Sequence, residues 1–364
     1  MRLKAGQLAA IEYINQYASS RVAMARPTID QILAMSNVAR KDLDDAVSAI
    51  RGHARVGLHF HPDRLDEKMN RVAESLISDG VYKSQFETFL SSGKLSPEKG
   101  GPRDTWENDL FGNAYSGADI LPADRPKYGA LDLMGLPDGP CPRFGSCCFL
   151  LNPSVLSRCT FTYMDSYRNP PEKGTISVAD GILAALLTES FERGFALGMQ
   201  GMRPPQLINH LRTTLQVPFR DPAGFQPSRN LDHYIEAQVH GEVRLLDDVD
   251  ILIADPSFRG TSTGSDLERL CKAYDIGLYW HCGFVLNVKD IPIDFRGPEM
   301  PAFGRHAAED GRLDAHIIGC AAADLKRNPA NWQEFGEPAY ALQSLKLLWH
   351  ILVKFGKPNV NQPA

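Results

Sequence analysis

The chain has 364 residues, 43% of them hydrophobic, with 39 Lys and Arg against 44 Asp and Glu and a net charge of −5. That is enough apolar material for a sizeable core, and the acidic balance argues against nucleic acid as the main partner. No apolar run reaches the roughly 18 residues of a membrane span, and seven cysteines without paired metal-site spacing read as reduced thiols of a cytoplasmic protein.

Residues 1–52 read as an N-terminal helical cap. "MRLKAGQLAAIEYINQYASS" mixes Lys, Glu and Gln with apolar residues, so it reads as an amphipathic helix and not as a signal peptide. Pro27-Thr28 is a start signal for a second helix, "PTIDQILAMS", and "RKDLDDAVSAI" ends at Gly52. "RVGLHFHP" is the first strand, stopped by Pro62, and "EKMNRVAESLIS" is a helix ending at Asp79-Gly80.

From 81 to 130 the chain is polar and Gly-rich with interspersed aromatics, the character of binding loops. If "YKSQFET" is extended, Gln85 and Glu87 share a strand face. "GGPRDTWENDLF" reads as a loop placing Arg103, Trp106 and Glu107 near an anionic or planar ligand, or as a surface loop whose Trp plugs the core. Arg143 and Ser146 lie just before the strand "SCCFLLN", where Cys147 and Cys148 point to opposite faces. "CTFTYMD" is another strand, with Thr160 and Thr162 on one face. Such hydroxyls satisfy edge positions or orient a bound ribose or amide.

"SVADGILAALLTESFERGFAL" and "PPQLINHLRTTL" are helices, followed by the strand "YIEAQVHGEV". One face of that strand carries Glu236, Gln238, His240 and Glu242. A buried unpaired carboxylate costs several kcal/mol. The face therefore lines a cleft with a ligand, or it is the solvent side of an open sheet. "VDILIAD", the helix "GSDLERLCKAYD" and the strand "GLYWHCGF" come next, and "PAYALQSLKLLWHILVKFG" closes the chain as an apolar helix. The last residues, "NVNQPA", read as a loose tail. Strands and helices do not alternate regularly, which favours α+β over a doubly wound sheet.

His59 and His61 share a face of the first strand. A His-x-His at a strand end suits a metal ion, with His240, Asp255 and His281 as further ligands in a metal-dependent hydrolase. The regular strand–helix alternation of such hydrolases is missing, so the rim of a pocket or a non-metal ligand comes ahead of the metal reading for these histidines.

"HFHPDR", "DGVYKSQFET", "RPKYGALDL", "PRFGSC", "TFTYMDS" and "YIEAQVHGEV", in this order, resemble the family known as domain of unknown function 3626. That family is similar to the ADP-ribosyltransferase superfamily. The resemblance implies an α+β fold with a split, mostly antiparallel sheet and helical additions at both ends. Residues 53–300 would be the catalytic domain, and 301–364 a C-terminal helical segment packed on it. It implies NAD as substrate, no metal, and an unidentified acceptor. Glu236, Gln238 and His240 would be catalytic, with Glu before Gln where the superfamily has Gln-x-Glu or Glu-x-Glu, and Glu242 the next candidate carboxylate. His59, His61, Arg64, Gln85, Glu87, Arg143, Ser146, Thr160 and Thr162 would bind NAD, with Thr160 and Thr162 on the nicotinamide side. A second resemblance, to fungal arginine-containing cyclodipeptide synthases, implies aminoacyl-tRNA in place of NAD.

Overall fold

The computed structural model describes residues 2–88, 97–217 and 219–359. The end of the "YKSQFETFLSSG" stretch and residues 360–364 of the expected tail lie outside them. Eight strands make one sheet: β1 (Arg55–Phe60), β2 (Lys127–Asp132), β3 (Cys147–Leu151), β4 (Cys159–Tyr163), β5 (Lys173–Thr175), β6 (Ile235–Val239), β7 (Val249–Ala254) and β8 (Gly277–Trp280). Their order is β8-β7-β3-β1-β2-β6-β4-β5. All neighbours are antiparallel except the pair β7 and β8. The chain is thus a mixed α+β protein with a large, mostly antiparallel sheet.

The first helix, α1 (Ala5–Met35), runs unbroken through Pro27, where the sequence suggests a new start. An interior proline costs ~3 kcal/mol. Here the ring is exposed, and Ile14, Ala18, Ala25, Ile29, Ile32 and Leu33 keep burying one stripe on both sides of it. After α2 (Arg40–His53) come α3 (Val72–Asp79), α4 (Pro102–Leu110), α5 (Asp180–Arg193), α6 (Pro204–Thr214) and α7 (Ser262–Tyr274). The C-terminal stretch folds as α8 (Met300–Ala307), α9 (Ala315–Arg327) and α10 (Pro338–Phe355).

One apolar core draws on the N-terminal helices, the sheet and the C-terminal helices together, from Ile29 and Val56 through Phe149 and Leu252 to Trp349. It fills one face of the sheet. The strand "CCFLL" is buried throughout, Cys147 on that face and Cys148 in a small cluster with Leu150, Ile251 and Ile253 on the other. All seven cysteines are free. Among the described residues no helix is long and apolar enough to cross a membrane.

The second face of the sheet carries the polar residues, and two features of the strands shape it. The ladder between β1 and β2 ends at Gly57, while β1 continues to Phe60 paired only with β3. The loop 139–145 inserts at this split. It fits because Gly57 has no side chain: a Cβ there would lie 2.6 Å from Pro140 and 2.9 Å from the Cys148 sulfur. The strand "YIEAQVHGEV" is shorter than its alternation suggests. It stops at Val239, and Gly241, at φ +82°, turns the chain away.

Candidate functional site

Register sets the site. Across β6 and β4, Thr162 stands opposite Glu236 and Thr160 opposite Gln238. Paired residues point to one side of a sheet, so all four side chains, with Tyr128 of β2 opposite Gln238, share the second face. That face is not solvent-exposed: Glu236 is 6% exposed, and Gln238, His240, Thr160 and Thr162 are fully buried.

The buried groups form one directed hydrogen-bond chain. Tyr115 Oη lies 2.7 Å from His240 Nδ1, and His240 Nε2 lies 3.0 Å from Thr160 Oγ1. Thr160 donates to Gln238 Oε1 at 2.8 Å, and Gln238 Nε2 donates to Glu236 Oε1 at 2.9 Å. Because Thr160 spends its proton on Gln238, its oxygen accepts from the imidazole. His240 is therefore the Nε2–H tautomer, with Tyr115 donating to Nδ1. Burial, with Lys127 and Arg158 nearby, pushes its pKa down to about 3, so it stays neutral. His240 thus has both nitrogens engaged inside the protein; it holds Thr160 and does not face a cleft.

Glu236 ends the chain and receives only donors. The Ser166 hydroxyl and Gln238 both donate to Oε1, and the Ser166 N–H donates to Oε2 at 3.4 Å. These bonds favour the carboxylate, while burial first and Asp165 second oppose it. The balance raises its pKa to about 7. Ser166 was not legible as a partner. It reaches Glu236 because the turn after β4 uses left-handed residues, Met164 at φ +69° and Asn169 at φ +48°, to fold back over the sheet.

"GGPRDTWENDLF" is the helix α4 and not a loop; Gly101 precedes it and Pro102 occupies its first turn. The Trp106 indole donates to Ser166 O at 3.0 Å. The Arg103 guanidinium lies 4.9 Å from the Trp106 ring and 4.8 Å from the Tyr128 ring. Tyr128 donates to Glu107 at 2.9 Å, and Glu107 also binds Arg125 at 3.1 Å. An aromatic and guanidinium wall thus stands beside Ser166 and Glu236.

The remaining expected residues fall elsewhere. Gln85 and Glu87 are not on a strand: "SQFE" makes a short helix, Gln85–Thr88, with Glu87 accepting from the Ser84 N–H at 2.7 Å. Ser-x-x-Glu is a helix-start signature, and its local bonds outweigh extended pairing. Glu87 faces Lys127, whose amino group donates to Gly241 O at 3.2 Å beyond the His240 end. The Glu242 carboxylate is more than half exposed beside Arg244 and lies outside the chain from Tyr115 to Glu236.

His59, His61, Arg64, Arg143 and Ser146 gather at the split end of β1. Cys141 N–H donates to His59 Nε2 at 3.1 Å, and Nδ1 pairs with Gly145 O at 3.3 Å. This ring too is neutral, its pKa lowered to about 3 by burial. His61, just past the strand, lies 3.3 Å from Ser146 Oγ. Asp255 and His281, the later metal-ligand candidates, end β7 and β8 in the same region, 3.8 Å apart, whereas His240 does not join them. Among the described residues no group of three or more His, Cys, Asp and Glu side chains is arranged to hold a metal ion. The two halves of the polar face meet at Cys141, whose thiol feels both Arg143 and Glu236.

The architecture defines a mixed α+β protein whose polar site is built on the inner strands of a mostly antiparallel sheet. The chain belongs to the family described as protein of unknown function (DUF3626), which matches residues 55–355 and leaves the first two helices outside the match. No curated protein matches the chain.

Proposed function

We propose that this protein transfers ADP-ribose from NAD to an acceptor, or to water, with Glu236 as the catalytic carboxylate. The observation that carries the reading is Glu236 itself: a nearly buried carboxylate at the end of a hydrogen-bond chain, with a pKa raised to about 7, so that half of it is charged near neutrality. Groups tuned this way concentrate at catalytic sites.

In the proposed reaction the bond between ribose C1′ and the nicotinamide nitrogen breaks and its electron pair leaves with nicotinamide. The carboxylate opposes the positive charge that develops on the ribose. Water or the acceptor then bonds to C1′ and gives up a proton. Gln238, Thr160 and His240 are positioning residues. They hold Glu236 from behind, and Thr160 and Thr162 support the nicotinamide side through that network. Trp106 and Tyr128 offer planar faces for an aromatic ring. The end of the β1–β2 ladder at Gly57 supports the likeness to a split sheet.

The test is nicotinamide release alongside NAD binding by calorimetry. Glu236→Gln should lower turnover about a hundredfold or more, the scale of a key electrostatic contact. It should change NAD affinity by less than about tenfold, because the carboxylate acts mainly in the transition state. A wild-type protein that neither binds nor consumes NAD sinks the reading. A salt-sensitive complex with aminoacyl-tRNA would put peptide-bond formation in its place.

A further inference from the structure

Around Trp349 of α10 the fold collects basic side chains from four segments: His61 and Arg64 after β1, Arg143 in the 139–145 loop, Arg296 before α8, and Lys346 and His350 on α10. Trp349 fixes their relative placement. Its indole N–H donates to Pro142 O at 2.9 Å, and the His61 ring stands edge-on to it at 5.2 Å. His350 neighbours Arg143. Lys346 and His350 are one helical turn apart and share a face of α10.

The cations among these groups repel one another, Lys346 with Arg64 and Arg296 with Arg143. The charges acting on His350 are Arg143, Arg296 and Lys346, and those acting on His61 include Arg64 and Lys346. Burial and the Arg64 guanidinium push Lys346 down to about 8. Carboxylates stand beside three of these groups: Asp63 beside Arg64, Asp165 near Arg143, and a half-exposed Asp232 shared by Arg143 and Arg296.

A second observation is independent of charge. Arg64 Nη1, Arg143 Nε, Arg296 Nε and His350 Nδ1 are all buried with no hydrogen-bond partner, on side chains of this one cluster, and His350 as a whole is 9% exposed. A buried donor without an acceptor costs about 1–3 kcal/mol, more when it is charged. A multivalent oxyanion would supply acceptors to the guanidinium nitrogens, oppose the repulsion, and favour the His350 proton that turns Nδ1 into a donor. Guanidinium forks match such oxyanions best.

We propose that this cluster binds a phosphoryl group, as free phosphate or pyrophosphate or as part of a phosphorylated small molecule. The site does not depend on NAD chemistry, and the test does not use it. Calorimetry of the full chain with pyrophosphate should show one saturable site per chain, with phosphate competing and acetate not. Lys346→Gln and His350→Gln should each weaken pyrophosphate binding about tenfold or more. Lys41→Gln, exposed on α2, should leave it unchanged. Melting temperature reports folding, and His350→Gln serves if Lys346→Gln fails to fold. Competition by ADP would assign the phosphoryl group to a nucleotide; its failure, with pyrophosphate still bound, would assign it to a smaller ligand. Absence of saturable binding, or binding that the folded α10 variants leave unchanged, overturns the proposal.

Discussion

Glu236 is held between two opposing demands, three donors that want it charged and a buried setting that does not. With its pKa raised to about 7, turnover should climb as pH rises through that value, because only the deprotonated form stabilises a cationic ribose. A pH profile of nicotinamide release checks this; a flat profile between pH 6 and 8 would remove Glu236 from the reaction. The residues behind it are tested through stability. Thr160→Val keeps shape but strips the acceptor from His240 Nε2–H and the donor from Gln238 Oε1, both fully buried. Each orphaned group costs about 1–3 kcal/mol, so urea melts should show a loss of at least about 2 kcal/mol. A variant as stable as wild type would mean that the chain from Tyr115 to Glu236 is not maintained in solution.

At the scale of elements, the split beside β1 decides where the two halves of the polar face meet. Gly145 lies against the backbone of Phe60: a Cβ would stand 2.3–2.4 Å from its main-chain atoms. Main chain in a paired strand cannot yield as a side chain can, so Gly145→Ala must push the 139–145 loop off β1. That loop carries both His59 partners and Arg143. Forcing atoms into a packed site costs typically 1–3 kcal/mol, and we expect at least about 2 kcal/mol here. Pyrophosphate binding should fall with it. A Gly145→Ala protein with wild-type stability would show that the loop is not seated as described.

Across the whole molecule, buried titratable groups of both kinds oppose one another. Asp63, Asp132 and Asp138 have pKa values raised to about 6, and Asp255 and Glu236 to about 7, chiefly by burial. A raised carboxyl keeps its proton longer in the folded chain than in the unfolded one. It therefore lowers stability progressively as pH rises from about 4 through the folded value, and fully above it. His59, His240, His281 and His350, lowered to about 3, act oppositely: their contribution is complete above about 6.5 and is lost as pH falls towards the folded value. Between those limits the two sets offset each other, and wild-type stability should change little. Removing one carboxyl unmasks the slope. Asp255 accepts from Ser257 N–H at 2.9 Å through Oδ1, while Oδ2 is buried without a partner. Asp255→Asn keeps the first bond and removes the charge, so its stability relative to wild type should be higher at pH 8 than at pH 4. Urea melts at both pH values decide it; a difference that does not change with pH would rule out a strained Asp255 carboxylate.

The sequence by itself determined the elements whose signals are local. Apolar or alternating runs marked β1, β3, β4, β6, β7 and β8, and helical patterns marked α5, α6, α7 and α10. The same alternation put Glu236 and Gln238 on one face, and Thr160 and Thr162 on one face, because side-chain direction in a strand follows from backbone geometry alone. Local signals misled where a longer-range force opposed them: Pro27 yields to a buried stripe along α1, and Gly241 ends β6 before Glu242 can join its face. Only the tertiary structure decided that β6 lies between β2 and β4, which sets Thr162 against Glu236 and buries the whole polar face. Only it brought Ser166, Tyr115 and Tyr128 to that face, and Arg64, Arg143, Arg296 and His350 to one place. Strand order and register depend on contacts between residues far apart in the chain, and no periodicity within a single segment encodes which segment it will meet.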